Sequence, residues 1–509
     1  MRRSPRAFEF PGIIFYLVLA ALSAAVCTQI NVRLGITPNT AVVGVIAAMA
    51  LGRKLFPYFA SPERQVLVET ATSAGGFAGA NIALVSLAIL FLLDLGELAF
   101  PLLVGITAGM VADIWFAYRL FDTTAFPAHA AWPDGEAVGQ VIIAGDVGGT
   151  RARRLLHGIA AGIIGRWLQL PMAGVGIAFI GNPWALGALG IGLVLRGWGG
   201  QLWQFDWEHS YIPHGVMIGA ALAQVGQTLS LLRGPSTAKA KFTTNSSTLL
   251  RPPSGFSLHL LVFLGCAVAV MLLGRLDLHM PLPQLLLWLG FAAVAAWLHT
   301  LIVGYCAMLS GWFPSFAVGV ALLLLGLILR FPLPALALLA GFILSTGPQF
   351  ADLGYDLKSG WLVRGRGMDA ARETAGRFQQ FLLQQTGAVV GIVVAAVIAG
   401  FYFRSGLIPP MSRVFAATAS LVMDPAGIKT LAAAALAGAV LQLIGGAQRA
   451  LGILFATGLL LVNPIYGVGL LAALLVRKLT KPDWMAIRAP GLIAGDGLFS
   501  FFEALVRVL

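Results

Sequence analysis

The chain repeats one pattern fifteen times: an apolar run close to the length that crosses a bilayer. The runs fall at about 12–30, 38–56, 66–93, 97–119, 154–170, 172–196, 213–232 and 256–274, then at about 282–308, 313–331, 333–348, 378–403, 427–446, 450–477 and 490–508. Inside a bilayer no water is available to satisfy backbone groups, so a spanning segment is a helix or part of a closed barrel. Long apolar runs without two-residue alternation are helices. The pattern predicts an all-α polytopic membrane protein with 14–16 transmembrane helices, in which 66–93 and 333–348 also suit re-entrant segments. Only 11% of the 509 residues are charged, against about 25% in a soluble protein. The net charge of +12 sits in short connections between runs, where it sets topology. It does not read as a nucleic-acid surface. Cys27, Cys266 and Cys306 lie in apolar runs without CxxC spacing, so neither a disulfide framework nor a zinc site is expected. Arg2, Arg3 and Arg6 precede a first run that is long enough to span and lacks a small-residue cleavage site. That run is predicted to be a first transmembrane helix in the cytoplasmic membrane, with a cytoplasmic N-terminus.

Two of the runs are interrupted in the same way. Gly181-Asn182-Pro183 opens a stretch ending at Arg196, and Val462-Asn463-Pro464 opens one ending at Arg477, each fourteen residues from Asn to Arg. Proline removes a backbone donor and clashes with the preceding turn. Such breaks persist in membranes where they are buried in protein or line a cavity. Matching interruptions in two halves point to a transporter's binding site. Other landmarks recur in the same order: Ser73-Ala74-Gly75-Gly76 with Ser345-Thr346-Gly347-Pro348, and Gly215/Gly219 with Gly491/Gly495. The expected organisation is a first transmembrane half (1–233), a linker with an unpaired connector helix (234–281) and a second half (282–509). Of the two longer polar connections, 120–153 is expected to hold an interfacial helix around 135–144, and 349–377 reads as a basic connection.

Trp132-Pro133-Asp134-Gly135-Glu136-Ala137, followed by Ala144-Gly145 and Gly148-Gly149, resembles a block of the oligopeptide transporter superfamily. Asp356-Leu357-Lys358-Ser359-Gly360-Trp361-Leu362-Val363 resembles another, and Thr72–Gly76 and Gly491–Gly495 are similar to further segments. Asp134 stands where that family usually has Glu, and Arg364-Gly365-Arg366 replaces its usual continuation. The chain thus looks like a compact prokaryotic member of a superfamily that includes the yellow-stripe-like transporters. The resemblance implies proton-coupled uptake of oligopeptides, or alternatively of a metal chelate of siderophore or nicotianamine type.

Asn182 and Asn463 carry the strongest case for substrate binding, because helix N-termini present unpaired N–H groups suited to a carboxylate. The bland alternative is a packing kink. Trp184 and Tyr466 follow them and either line the same cavity or pack. Ser73, Gly75, Gly76, Ser345 and Gly347 offer small groups at the cavity sides or close helix contacts. For proton coupling, Asp496 leads, with Glu503 seven residues on along the same helical face and Glu69 as the third acid. The alternative is pairing with neighbouring bases. Asp113 reads as a snorkelling or loop-pairing group. Trp203, Phe205, Asp206, Trp207, Glu208, His209 and Tyr211 read as an interfacial belt, with the alternative of a vestibule whose two acids and two imidazoles, His209 and His214, face a cationic or metal-bearing substrate. No D-D-x-x-D array or P-loop is present, so an integral-membrane lipid enzyme and a nucleotide-driven pump are the weaker classes. The expected partners are a small-molecule or short-peptide substrate, protons and membrane lipid, in a protein free to form a homo-oligomer. No catalytic residue, cofactor or metal is expected.

Overall fold

The structure, a computed structural model, describes residues 5–34, 45, 57–123, 125–130, 132–147, 149–180, 182–203, 205, 207, 210–233, 256–310, 315–420, 428–446, 449–460 and 464–480, with scattered positions between 485 and 503. The linker 234–255, the run at 38–56 apart from Val45, Asn463, and Asp206, Glu208 and His209 of the aromatic belt lie outside the described residues.

In chain order the first helices are α1 (Gly12–Leu34), α2 (Pro62–Phe77), α3 (Val85–Leu92), α4 (Ala99–Leu120), α5 (Pro133–Val147) and α6 (Gly149–Trp167). There follow α7 (Met172–Ile180), α8 (Pro183–Val194), α9 (Ile212–Arg233), α10 (Phe256–Leu273), α11 (Leu282–Ser310) and α12 (Ser315–Ile328). The rest are α13 (Leu333–Leu344), α14 (Pro348–Val363), α15 (Ala370–Arg404), α16 (Pro410–Ser420), α17 (Ile428–Gly445), α18 (Leu451–Leu460) and α19 (Pro464–Thr480). Among the described residues the only β feature is an isolated bridge between Phe121 and Phe126. Among the described residues six stretches are long and apolar enough to cross a membrane: Gly12–Gln29, Pro62–Leu92, Gly96–Leu120, Leu282–Met308, Leu333–Val363 and Ala370–Arg404. The protein is an all-α polytopic membrane protein.

The polar connection expected at 349–377 is largely helical. α14 continues to Val363 and α15 begins at Ala370. Asp352, Asp356 and Lys358 lower the hydropathy here without facing water, since all three are buried against neighbouring helices. Hydropathy does not distinguish a helix lined with buried polar groups from a solvated loop. The interfacial segment expected around 135–144 is the helix α5.

Elements recur at steady intervals. The stretches Pro62–Leu92 and Leu333–Val363 each have 31 residues and start 271 positions apart. α4 and α15 also start 271 apart, at Ala99 and Ala370. The two parts interlock by exchange. A Cβ at Gly219 of α9 would meet the carbonyl of Ala435 on α17, and one at Gly495 would meet the carbonyl of Ile159 on α6. Gly438 likewise abuts the carbonyl of Val216, and Gly162 that of Leu492. Each residue in the first contact of either pair lies 276 positions from its counterpart in the second.

Among the described residues, minor apolar cores lie around Tyr16 and Leu383 and around Met485 and Leu492, and the two largest cores are not sequence halves. The larger joins residues of α2–α4 to residues of α10–α16, with Ile82, Ile106, Phe342 and Phe415 among its members. The smaller joins α7–α9 to α17–α19 through Leu186, Leu193, Met217, Leu454 and Leu470. Each core therefore takes corresponding elements from both ends of the chain. They meet where α9 touches α12, with Ile218 in the larger core and Ala321 in the smaller.

Candidate functional site

The most polar region of the interior lies where α2, α14 and α15 meet. Glu69 and Ser73 are one turn apart on α2. Asp352, Asp356 and Ser359 follow at helical spacing on one face of α14, and Gln380 and Gln384 do so on α15. All are buried. Ser73 Oγ lies 3.2 Å from Asp352 Oδ2 and 2.8 Å from Asp356 Oδ2. Ser359 Oγ donates to Glu69 Oε2 at 2.6 Å. Gln384 Nε2 donates to Asp352 Oδ2 and to Gln349 Oε1, each at 2.7 Å. At one end of the cluster, Gln380 donates to the Asp356 carbonyl at 2.5 Å and accepts from Arg364 Nη1 at 2.8 Å. Arg364 in turn makes a two-pronged pair with Glu373, both contacts at 2.9 Å. The pairs Glu373–Arg377, Arg377–Asp122 and Arg372–Glu63 carry this network towards exposed surface.

Beside the cluster the backbone breaks between α13 and α14. Gly347 has φ of +90°, a conformation available to glycine and strained for other residues, and Pro348 follows it. The break leaves carbonyls of α13 and amides of α14 without helical partners. Ser345 Oγ and Thr346 Oγ1 fold back to the carbonyls of Phe342 and Ile343, both at 2.7 Å. Asp113 takes the amides: its Oδ2 accepts from Gly347 N and Phe350 N at 2.8 Å, and its Oδ1 accepts from Thr300 Oγ1 at 2.6 Å. Asp113 is thus a buried helix cap reaching across from α4, not a snorkelling or loop-pairing group.

The smaller core holds the Asn182-Pro183 interruption and the helix α19 that begins at Pro464. Asn182 is the N-cap of α8 and accepts from Trp184 N and Ala185 N at 3.0 and 3.4 Å. Asp496 Oδ2 accepts from Ala173 N at the start of α7 at 2.6 Å. Arg166 lies 3.8 Å from Asp496 and 3.7 Å from Glu503. Tyr466 covers Gly174 in the same corner. Gln442 Oε1 accepts from Gly452 N and Ile453 N at the start of α18. Trp184 is 60% exposed, with Arg449 over its ring. The starts of α7, α8, α14 and α18 are therefore capped from within the protein, so the amides expected there to receive a ligand carboxylate are already taken by side chains.

The residues singled out from sequence fall at three places. Glu69 and Ser73 join the carboxylate cluster, while Gly75 abuts the carbonyl of Ala20 and accommodates α1. Gly76 lies buried on the same turn. Ser345 and Gly347 form the capped break. Asn182, Trp184, Tyr466, Asp496 and Glu503 belong to the smaller core and its edge. Sequence reasoning misses Asp352, Asp356, Ser359, Gln349, Gln380 and Gln384 as a group. Their signal is present nonetheless, as acids at i and i+4 on α14 facing glutamines at i and i+4 on α15.

The two blocks that carry the resemblance pack against each other. Lys358 Nζ donates to the carbonyls of Ala128 and Ala130, both at 3.1 Å, and pairs with Glu136 at 3.3 Å. Gly135 abuts the carbonyl of Tyr355, and Gly354 abuts the Trp132 ring. No family model matches the chain, and no curated protein matches it.

Proposed function

We propose that the protein is a secondary active transporter that imports oligopeptides across the cytoplasmic membrane, driven by protons. The observation that carries this reading is that each of the two largest cores is built from corresponding elements of both ends of the chain, with α9 of one touching α12 of the other. Alternating access in transporters made of repeats is largely the rocking of one bundle against the other about a fixed site, and this arrangement supplies two such bodies. Ionisable groups buried within apolar spans support it, because such groups are expensive in a membrane and mark substrate or ion pathways. The substrate binds in the smaller core beside Asn182, Tyr466 and Trp184, at side chains and not at free helix amides. The resemblance to the oligopeptide transporter superfamily supports peptides as the cargo.

The test is uptake of labelled short peptides and ferric chelates by the full-length protein in proteoliposomes. An inward proton gradient should raise peptide accumulation at least about tenfold over the same vesicles without one. Asn182→Leu, which removes the α8 cap at a cost of about 1 kcal/mol, should abolish uptake while the protein stays folded. Asn182→Ser keeps a capping oxygen and should retain part of it. Accumulation of chelates alone would replace the peptide reading with the metal-chelate one. Uptake of neither would end the transporter reading.

A further inference from the structure

The cluster on α2, α14 and α15 has more carboxyl groups than its neighbours can serve. Glu69, Asp352 and Asp356 are 0%, 3% and 1% exposed. The Ser73 hydroxyl has one hydrogen but faces oxygens of both Asp352 and Asp356. Only one contact can use that hydrogen, so the other is a hydrogen bond only when the carboxyl carries a proton. The single Ser359 hydrogen is shared in the same way between Glu69 Oε2 and the backbone carbonyl of Asp356. Two further oxygens, Glu69 Oε1 and Gln384 Oε1, are buried without a hydrogen-bond partner in the protein, on residues that are both 0% exposed. A buried acceptor without a donor is costly, and these two sit on the cluster.

Among the described residues no base is hydrogen-bonded to the cluster's carboxylates. Lys358 on α14 is turned away to Glu136 and the carbonyls of Ala128 and Ala130. Arg364 is matched by Glu373 and reaches the cluster through Gln380. On α11, His299 is held by Thr346 and Ser315, and on α4 Asp113 caps α14. Tyr355 packs edge-on against the Trp132 ring, Asp134 sits in the first turn of α5, and near α1 Tyr16 packs on Phe59 while Arg64 stacks on Tyr58. Three carboxylates side by side in a low-dielectric interior cannot all be ionised without counter-charge. Among the described residues no group of His, Cys, Asp and Glu has the geometry to hold a metal ion.

We propose that Glu69, Asp352 and Asp356 form a shared proton-binding site, and that its loading and release is the step that couples protons to transport. The occupant is the proton itself, taken from water by a carboxylate and returned to water when the site opens. Gln349 ties the site to the helix break, since it accepts from Gln384 and donates to the carbonyl of Ala74 at 3.3 Å. A change in protonation at Asp352 is therefore felt close to Gly347. The coupling consequence rests on the transporter reading; proton binding does not.

Infrared difference spectra of the purified full-length protein across a pH titration test the binding directly, because a protonated carboxyl has a carbonyl stretch that a carboxylate lacks. The parent should show that band at neutral pH and lose it on alkalinisation. Glu69→Gln/Asp352→Asn/Asp356→Asn should lose most of the titrating amplitude, and the single variant Asp352→Asn about a third. An unchanged amplitude in either variant would overturn the proposal. In proteoliposomes Asp352→Asn should cut gradient-driven accumulation at least about tenfold, and parent-like accumulation would also overturn it. If the parent shows the titrating band but takes up no cargo, the proton site stands and the transporter reading fails.

Discussion

Asp113→Ala is expected to remove most of the folded protein from detergent extracts, because this side chain serves backbone that has no other partner nearby. Its carboxylate holds two amides at the start of α14 and one hydroxyl of α11, in a position with 0% exposure. Leaving a buried donor unpaired costs about 1–3 kcal/mol, so two amides and a hydroxyl together lose several kcal/mol. That is comparable to the whole stability of an ordinary domain, about 5–15 kcal/mol. Asp113→Asn retains an acceptor oxygen and should recover part of the loss. The check is the midpoint of thermal aggregation for the three proteins, expected in the order parent, Asn, Ala. An alanine variant as stable as the parent would mean that the break at Gly347 needs no cap.

Gly219→Val should be nearly as damaging, for a reason of space rather than polarity. α9 and α17 cross backbone to backbone, with Gly219 against the carbonyl of Ala435 and Gly438 against that of Val216. Small residues at such crossings let helices approach closely in membranes. A side chain there meets a carbonyl that cannot rotate away, so the helices must separate. The expected loss exceeds the roughly 1–3 kcal/mol of ordinary overpacking. Gly226, on the same helix, has open space where a methyl group would stand, with no neighbouring atom within 4 Å. Gly226→Ala should therefore be neutral or stabilising by about 0.5–1 kcal/mol. Monodisperse yield by size exclusion separates the two variants, and equal yields would contradict the close crossing.

Much of the fold is legible in the sequence because lipid imposes a simple code. Long apolar runs become helices, and α1, α4, α11 and α15 fall where hydropathy puts them. The code fails where a helix faces protein instead of lipid. The polar face of α14 reads as a connection because its acids are satisfied by side chains of α2 and α15, which lie elsewhere in the chain. Asp113 misleads for the same reason, since its partners come from α11 and the start of α14. Asn182 shows a different limit. Its place at a helix start is readable from Asn-Pro, but the filling of the α8 amides by its own side chain is not. Glu69 stands out as an acid in an apolar run, whereas its companions Asp352 and Asp356 sit in and beside a block conspicuous for its resemblance.

Cargo and protons are proposed to move together, and the most direct test runs the cycle from the cargo side. Full-length protein is reconstituted in vesicles that trap a pH-sensitive dye, with the membrane potential clamped and no pH gradient imposed. Adding a transported peptide outside should acidify the lumen, at a rate that saturates with peptide and falls at least about tenfold in Asp352→Asn. Peptide entry with no change in lumenal pH would contradict the account.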